Sequence, residues 1–406
     1  MNKNNRTVGV VCEYNPFHNG HEYQLKNIRE KYGDDTAIVA VMSGNFTQRG
    51  EAAIFEKHTR AKAALMCGAD LVIELPINFA VSSAERFAYG AVSILDALGC
   101  VDEINFGSEC GDIKKLTLLS DIVESDEIKR LTSEIMTSGV TFAAARQSAV
   151  ERLYDSETAM ILKSPNNTLG IEYIKAAKKL GSKMSFSTVE RSGVSHDSHI
   201  AVENMASASF IRDNILKNGI DSIEKYVPQK AFLLYKEDVE LKKAPHDIKY
   251  TERGVLDRLR RLKADDWEKV PDVSEGLHNR IYDVIRKSAS LDDIFFQIKT
   301  KRYTLARIRR IILLGYLGVY SEESLREAEY IRVLGMNRRG MAVLRAAKKT
   351  ASIPVGTSLA DLEKLSDKAA RFAHSESCST DLYMLMCEKI FPCSADYTIP
   401  VVIIKD

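Results

Sequence analysis

The sequence predicts an α/β fold, a doubly wound parallel sheet followed by a mostly α-helical domain. Through residues 1–235, short apolar runs rich in Val and Ile alternate with stretches of helical periodicity. This rhythm is typical of parallel sheets, whose strands are joined by helices and whose ligands bind at the carboxyl ends of the strands. From residue 236 onward the rhythm stops and the patterns are helical. We therefore place a boundary in the charged stretch 236–250 and predict two domains, 1–235 and 236–406.

The elements of the first domain follow from their apolar spacing and their end signals. Residues 8–11 predict a buried strand, 12–17 the turn that leaves it, and 22–32 an amphipathic helix. Further strands are predicted at 36–42, 70–75, 101–106 and 185–189, and further helices at 57–67, 83–98 and within 113–162. Gly68 and Gly99 are suited to end two of these helices, and Pro76 ends a strand.

The second domain is predicted to consist of short helices. They are expected at 253–263, 276–288, 290–299, 304–317 and 338–349. Residues 236–406 carry 31 Lys and Arg against 26 Asp and Glu, although the whole chain has a net charge of only +1. This modest excess of positive charge indicates a polyanionic partner for the second domain.

The composition bounds the class of protein. The chain has 406 residues, of which 45% are hydrophobic and 28% charged, as in an ordinary water-soluble protein. It contains no run of 18 apolar residues and no signal-peptide core, so we expect a cytoplasmic protein without a membrane partner. Cys378, Cys387 and Cys393 have spacings that match no zinc-binding pattern, which predicts reduced thiols and no metal site.

The most informative motif is His18-Asn19-Gly20-His21, which follows the first predicted strand. It would place two imidazoles at a helix N-terminus, where free N–H groups and the helix dipole attract phosphate. Gly20 removes a side chain where a flat base could approach the backbone. These features predict a site for a nucleoside triphosphate. The alternative is a pair of capping or surface histidines in a βα loop.

Polar residues also follow the second predicted strand. The loop 43–50 (SGNFTQRG) combines two glycines, amide side chains and an arginine, so it can wrap an anion or a small carboxylate. Two cations at the start of the next helix would share a face and oppose the helix dipole, which favours a phosphate-contacting role. A simple turn and a solvated helix face are the alternatives. The candidate substrate or phosphate contacts here are Ser43, Gln48, Arg49, Lys57 and Arg60.

Three later segments add to the predicted site. Gly107 follows a strand and could let adenosine approach the backbone, and the segment 164–170 (SPNNTLG) offers two amides that could read an adenine edge. Both segments also fit ordinary turns or helix caps. In 206–212 (ASASFIR), small hydroxyl residues can cap a helix while Arg212, one turn in, reaches phosphate oxygens.

The histidine motif and ASASFIR, in this order, match the phosphate-binding signature of the nucleotidyltransferase-like HIGH superfamily. The chain resembles, over nearly its whole length, the bacterial tRNA(Met) cytidine acetate ligase family. The matching segments of the first domain are 9–21 (GVVCEYNPFHNGH), 43–51 (SGNFTQRGE), 69–76 (ADLVIELP), 106–109 (FGSE), 164–173 (SPNNTLGIEY) and 206–212. Those of the second are 275–281 (EGLHNRI), 301–310 (KRYTLARIRR) and 330–340 (YIRVLGMNRRG). Ala208 departs from the usual hydroxyl-rich form of the superfamily motif.

The resemblance implies a nucleotidyltransferase-like (HUP/Rossmann-like) catalytic domain and a tRNA-binding helical domain. It implies that ATP activates acetate to acetyl-adenylate, and that the acetyl group passes to N4 of the wobble cytidine of elongator tRNA(Met). ATP would bind with Mg²⁺. The expected catalytic residues are His18, His21, Ser209 and Arg212. The expected ATP contacts are Val11, Cys12, Glu13, Tyr14, Asn15, Pro16, Phe17, His18, Asn19, Gly20, His21, Gly107, Asn166, Asn167, Arg191, Ser192 and Ser207.

Two basic stretches in the second domain predict the tRNA-binding surface. Residues 299–310 and 332–349 each hold six Lys or Arg and no acidic residue. Such helices suit a phosphate backbone, and a solvated amphipathic face is the alternative. The expected tRNA contacts are Lys299, Lys301, Arg302, Arg307, Arg310, Arg338 and Arg339.

Two other functions stay open from the sequence alone. One is a nucleotidyltransferase that joins ATP to a small phosphorylated acceptor. The other is a non-catalytic RNA-binding protein that holds ATP as a regulatory ligand.

Overall fold

The computed structural model describes residues 6–191, 204–274, 276–321 and 327–405. Eight strands are present in this part of the chain. They are β1 (Thr7–Cys12), β2 (Ala37–Ser43), β3 (Leu71–Leu75), β4 (Glu103–Ser108), β5 (Ser185–Glu190), β6 (Ile331–Met336), β7 (Val355–Gly356) and β8 (Val402–Ile403).

Helices connect and cover the strands. In the first half they are α1 (Asn19–Tyr32), α2 (Lys57–Met66), α3 (Ile77–Ala80), α4 (Ala84–Ala97), α5 (Ile113–Ile122), α6 (Asp126–Met136), α7 (Phe142–Leu153), α8 (Ser156–Ile161), α9 (Pro165–Leu180), α10 (Ala208–Asn218) and α11 (Gln229–Glu240). In the second half they are α12 (Glu252–Arg261), α13 (Ala264–Glu268), α14 (Leu277–Lys287), α15 (Leu291–Ile298), α16 (Leu305–Leu317), α17 (Arg338–Thr350), α18 (Leu359–Leu362), α19 (Asp367–Tyr383) and α20 (Ala395–Thr398). Short 3₁₀ turns occupy Ile220–Tyr226, Ile248–Thr251 and Glu363–Leu365. Among the helices of the described residues, none has the length and apolar character needed to cross a bilayer.

The strands form one sheet in the order β5-β4-β1-β2-β3-β6-β7, with β8 also paired to β6. Strands β1 to β5 are mutually parallel, and β6 runs antiparallel to β3. In the centre of the sheet Val10 lies opposite both Ala40 and Asn105. The central strands therefore end together at one edge, where open parallel sheets bind ligands. The predicted doubly wound parallel sheet is confirmed, with an antiparallel strand added to it.

Alternate residues of β2 pack on opposite faces of the sheet. Val39 and Val41 belong to the apolar cluster under α4, α5 and α9, whereas Ile38 and Ala40 belong to the cluster under α1, α2 and α11. All four are fully buried. A strand covered on both faces is continuously apolar, which explains the β-branched run in the sequence.

The helical part of the second half shares its core with the sheet domain. Apolar side chains of α12, α14, α15 and α16 pack in one cluster with the fully buried Trp267. Phe46, from the loop that follows β2, and Ile77, the first residue of α3, join the same cluster.

The prediction of a separate helical domain over 236–406 needs correction at its C-terminal end. Strands β6, β7 and β8 return to the sheet of the first half, and α17 packs against β2 and β3. The sequence analysis placed no strand at 331–336. All six residues of β6 are buried, so they show no alternation, and their pairing with β3 is too distant along the chain to leave a local signal.

Candidate active site

A cavity of about 1080 Å³, its solvent-open mouth included, lies at the carboxyl edge of β1, β2 and β4. Its walls come from the β1–α1 loop, the β2–α2 loop, the end of β4, and the first turns of α9 and α10. The residues that line it are Val11, Cys12, Glu13, Tyr14, Asn15, His21, Gln24, Thr47, Gln48, Arg49, Glu51, Phe87, Phe106, Gly107, Asn166, Leu169, Tyr173, Arg191, Ala208, Ser209 and Arg212. Most of the predicted ATP contacts are therefore brought together, although they lie far apart in the sequence.

The two histidines are held in one tautomer by backbone N–H groups. His18 is the N-cap of α1, and its Nδ1 accepts a hydrogen bond from the Gly20 amide at 3.1 Å. His21 Nδ1 accepts from the His18 amide at 3.2 Å. In a neutral imidazole whose Nδ1 is an acceptor, Nε2 carries the proton and is a donor. The ring centroids are 3.7 Å apart, so the geometry places two N–H donors side by side at a helix N-terminus.

Gly20 leaves room for the imidazole of His18. A Cβ at this position would lie 2.9 Å from His18 Cε1 and 3.1 Å from His18 Nδ1. Contacts this short would push the imidazole away from the position in which it caps the helix. Gly20 therefore seats His18, and it also lines the second cavity described below, so the expectation that it clears space for a flat base stays a prediction.

The turn before the histidines is packed into the protein. Tyr14 has a φ of 45°, which is rare for a residue with a side chain, and it is buried. Phe17 is also buried, and its amide donates to the Tyr235 hydroxyl at 3.0 Å. Pro16, Phe17 and Asn19 do not line the cavity. The side-chain Nδ2 of Asn19 donates to the carbonyl oxygens of Asn204 and Lys225. These three residues, predicted as ATP contacts, instead support the turn and the start of α1 on the side away from the cavity.

Arg60 organises the loops of the site and is not positioned to contact phosphate. Its guanidinium is completely buried and donates to the carbonyl oxygens of Phe55 at 2.9 Å, Glu13 at 2.5 Å and Ser43 at 3.1 Å. It donates as well to the Gly44 carbonyl. Ser43 is fully buried and does not line the cavity. Both predictions of substrate contact are corrected, because both side chains are buried away from the cavity, where Arg60 satisfies backbone carbonyl groups.

Lys57 is also buried, within a cluster of charged side chains. Its Nζ lies 2.7 Å from Glu74 Oε1 and 2.6 Å from Asp396 Oδ1. Arg332 Nη1 lies 3.0 Å from Glu74 Oε2 and 2.8 Å from Asp396 Oδ1, so two cations share two carboxylates. Burial raises the pKa of the neighbouring Glu376 carboxyl to about 8. Lys57 therefore ties α2 to β3, β6 and α20, and its predicted phosphate contact is corrected.

The remaining candidates of the β2–α2 loop do face the cavity. Gln48 and Arg49 line it, and the Gln48 amide donates to Glu13 Oε1 at 2.7 Å. Burial raises the pKa of the Glu13 carboxyl, and the nearby Arg212, Arg49 and Arg60 oppose that rise.

Ser209 and Arg212 reach the cavity from the first turn of α10, as expected. Ser207 is the N-cap of that helix, and its Oγ accepts from the Phe210 amide at 3.1 Å. Arg212 Nη1 donates to the Asn15 carbonyl at 3.0 Å, which fixes the guanidinium against the β1–α1 loop. Thus Ser207 positions the helix, while Ser209 and Arg212 present side chains to the ligand space.

Glu51 is a site residue that the sequence analysis missed. Its carboxylate lies 3.5 Å from Arg212 Nη2 and also forms an ion pair with Arg309 of α16. It therefore connects the Arg212 side of the cavity with the helical region. Its position at the end of the segment 43–51 was the available signal.

The amides of α9 hold the end of β4 rather than all facing the cavity. The Asn167 Oδ1 accepts from the amides of Glu109 and Cys110 at 2.9 and 3.1 Å. The Glu109 carboxylate accepts from Asn166 Nδ2 at 2.7 Å and from the Asn167 amide at 2.9 Å. Asn166 lines the cavity and Asn167 does not, so Asn167 is structural and only Asn166 remains a ligand candidate. The segment 164–170 is the first turn of a helix, not a loop.

A second cavity of about 600 Å³ adjoins the first beside the histidines. It is lined by His18, Gly20, His21, Tyr23, Gln24, Gly107, Val189, Glu190, Arg191, Met205 and Ala206. Four residues line both cavities: His21, Gln24, Gly107 and Arg191. Burial lowers the pKa of the Arg191 guanidinium, and Glu109 opposes that change. The predicted contact Ser192 lies outside the described residues.

The basic residues predicted to bind tRNA divide into three groups. Lys299, Lys301 and Arg302 are exposed. Arg307 and Arg310 are engaged internally: Arg307 Nη2 donates to the Asp272 carbonyl at 2.7 Å, and Arg310 Nη2 lies 3.2 Å from Asp272 Oδ2. Arg310 is buried and also donates to the Gln48 carbonyl, so these two residues are corrected to structural roles.

Arg338 and Arg339 lie apart from the other basic residues. They begin α17, and Arg339 Nη1 is 3.5 Å from Asp70 Oδ1, at the amino end of β3. The cavity lies at the opposite, carboxyl ends of the strands. The two basic stretches of the sequence therefore do not form one surface around the site.

Comparison with known proteins gives a consistent result. The family described as HIGH Nucleotidyl Transferase matches residues 5–395. A tRNA(Met) cytidine acetate ligase of Thermoanaerobacter sp. (strain X514) is 39% identical over 402 residues, covering 97% of this chain and 99% of that protein. The enzyme of the same name from Clostridium kluyveri is 39% identical over 372 residues, covering 87% and 90%.

Solved structures agree with this. Thermotoga maritima TmcAL bound with alpha-thio ATP superimposes with a TM-score of 0.91 at 31% identity, covering 99% of this chain and 100% of that one. Its apo form gives 0.93 at 32% identity over the same shares.

Proposed function

Because the chain belongs to the tRNA(Met) cytidine acetate ligase family of the HIGH nucleotidyl transferases, we propose that it acetylates N4 of the wobble cytidine of elongator tRNA(Met) with acetate and ATP. It is a ligase, and its product is N4-acetylcytidine in the tRNA. The single observation that carries the mechanism is the pair of adjacent imidazoles at the start of α1, of which His21 lines the first cavity together with Arg212 while His18 lines the adjoining second cavity.

In the first step, an acetate oxygen attacks the α-phosphorus of ATP, the bond to the bridging oxygen breaks, and pyrophosphate leaves. Acetyl-adenylate is the product. Such a transfer needs positioning and charge neutralisation rather than a covalent enzyme intermediate. We assign the two imidazole Nε2 donors to the oxygens of the α-phosphate, and Ser209 and Arg212 to the departing phosphates. Gln48 and Arg49 stand at the same end of the cavity.

In the second step, the exocyclic amine of cytidine attacks the carbonyl carbon of the mixed anhydride, loses a proton, and displaces AMP. The cavity contains a cysteine, Cys12, but the chemistry does not require an acyl-enzyme. Burial raises the pKa of the Cys12 thiol well above its ordinary value, so the thiol stays protonated and is a poor nucleophile.

Mg²⁺ enters this proposal only as the ion carried by the triphosphate. Within the described ranges, no three His, Cys, Asp or Glu side chains gather as a metal-binding group.

One incubation tests the reaction. The protein is supplied with ATP, labelled acetate and bulk tRNA, and the RNA is digested to nucleosides; we expect label in N4-acetylcytidine and release of AMP. The control omits ATP. Pyrophosphate release that depends on a phosphorylated acceptor instead of acetate would support the nucleotidyltransferase alternative, and ATP binding without any turnover would support the regulatory one.

For the RNA-binding surface we propose the exposed residues at the end of α15 and just beyond it. Lys299, Lys301 and Arg302 are exposed, and Phe296 on the same helix is 81% exposed. Cations beside an accessible aromatic ring suit single-stranded RNA, because phosphates pair with the cations and a base stacks on the ring.

Replacing Lys301 and Arg302 together by Glu should weaken tRNA binding and leave acetyl-adenylate formation intact. Filter binding over a range of salt concentrations measures this effect, and the slope of log affinity against log salt should fall by about one for each phosphate that the protein no longer neutralises. Arg338→Glu is the matched control at the opposite edge of the sheet. A loss of tRNA affinity in the control alone would move the RNA-binding surface to α17.

A further inference from the structure

The first cavity has two walls of different chemistry. The side toward α10 and the β2–α2 loop carries Gln48, Arg49, Ser209 and Arg212, which suit a triphosphate. The other side is lined by Phe87, Phe106, Leu169 and Tyr173, which come from α4, β4 and α9. No phosphate oxygen would find a hydrogen-bond donor among the first three of these four side chains.

The apolar wall is anchored in the main core of the sheet domain. Phe87, Phe106 and Tyr173 are all buried and belong to one core cluster, and Leu169 packs against it. The rings of Phe106 and Tyr173 meet with centroids 5.7 Å apart. Phe106 can lie this close to α9 because Gly170 has no side chain; a Cβ there would collide with the ring. Because these side chains are packed in the core, they cannot move aside to admit a larger ligand.

The two walls lie on opposite faces of the sheet. The apolar wall belongs to the cluster under α4, α5 and α9, whereas Ile211, the neighbour of Arg212 in α10, belongs to the cluster on the other face. Displacement at phosphorus places the entering oxygen and the departing pyrophosphate roughly in line. If pyrophosphate leaves toward Arg212, the attacking acid must therefore enter from the side of the apolar wall.

The second cavity offers a separate place for the nucleoside. It is lined by Gly107, by Val189 and Glu190 at the end of β5, and by Met205 and Ala206. It meets the first cavity at His21 and Arg191, where the α-phosphate would lie. A guanidinium at this junction can neutralise both anions that react, the carboxylate and the phosphate.

We propose that the wall formed by Phe87, Phe106, Leu169 and Tyr173 is the acid-selecting subsite: it seats the methyl group of acetate and excludes longer carboxylic acids, while Arg191 meets the carboxylate. This rests on the proposed function, in which acetate is the acid that ATP activates. The wall also accounts for selectivity without a polar contact, since a methyl group offers none.

Leu169→Ala tests the subsite, because Leu169 is only half-buried and lies at the rim of the wall. We expect the ratio of kcat/KM for propionate to that for acetate to rise about 10-fold or more, as one methylene in an apolar pocket is discriminated by about 10- to 200-fold. Pyrophosphate release with ATP and each acid, without tRNA, measures the ratio. Phe87→Leu enlarges the space at the same wall from another helix, and it should raise the ratio of kcat/KM for propionate to that for acetate as well.

Met205→Ala is the matched control, since it enlarges the second cavity instead. It should raise KM for ATP and leave the ratio between the acids unchanged. The proposal is overturned if Leu169→Ala raises KM for ATP without changing the acid ratio, because the apolar wall would then hold the base. An unchanged ratio in both wall variants, with native melting curves, overturns it as well. Failure of the proposed function looks different: the parent protein would release no pyrophosphate with any acid.

Discussion

His21→Ala is expected to lower acetate-dependent formation of acetyl-adenylate by about 10²- to 10³-fold, the usual cost of removing one preorganised donor from a developing charge. The structure explains why His21 acts as a hydrogen-bond donor through Nε2. The His18 amide fixes His21 Nδ1 as an acceptor, which commits Nε2 to donation. Labelled acetyl-adenylate, separated after incubation with ATP and acetate, measures the loss.

The affinity for tRNA should change little in this variant, because the proposed RNA-binding residues lie on and beyond α15. His374→Ala is the matched control, since His374 is exposed on α19 and outside both cavities. Acetyl-adenylate formed at the parental rate by His21→Ala would remove the histidine from the reaction. An equal loss in His374→Ala would point to a general effect of the substitution on folding.

Lys57→Met should lower the free energy of unfolding by about 3–5 kcal/mol, as expected when one partner of a buried ion pair is removed. Lys57 has 1% of its side chain exposed and pairs with Glu74 and Asp396, whose carboxylates would be left to Arg332 alone. Methionine nearly keeps the volume, so the change isolates the charge. Urea unfolding followed by circular dichroism measures it.

Lys62→Met, on the exposed face of the same helix, should leave the unfolding curve within about 0.5 kcal/mol of the parent. This pair of variants separates the two roles considered for Lys57. A Lys57→Met protein of native stability that fails to bind ATP would restore the phosphate-contacting role predicted from the sequence.

The sequence predicted those features that depend on residues close to one another along the chain. Strands β1 to β5 and helices α1, α2 and α4 were predicted within a few residues, because apolar periodicity and the residues that end an element act locally. The histidine motif was placed correctly at a helix N-terminus for the same reason. Strand β6 and the helix start at Pro165 were missed, since a fully buried strand has no alternation and an Asn-rich helix start resembles a turn.

The chain's sequence by itself determined the parallel sheet, the motif that places two imidazoles at a helix N-terminus, and the family to which the protein belongs. Only the tertiary structure decided which polar residues serve the ligand and which serve the fold. Lys57, Arg60 and Arg310 carry a positive charge, as Arg212 does. Because they are buried, these three side chains bind carboxylates and carbonyl groups within the protein. The ion pairs of Glu51 and the apolar wall likewise join segments from distant parts of the chain. Such contacts depend on packing in three dimensions, and no local pattern in the sequence records them.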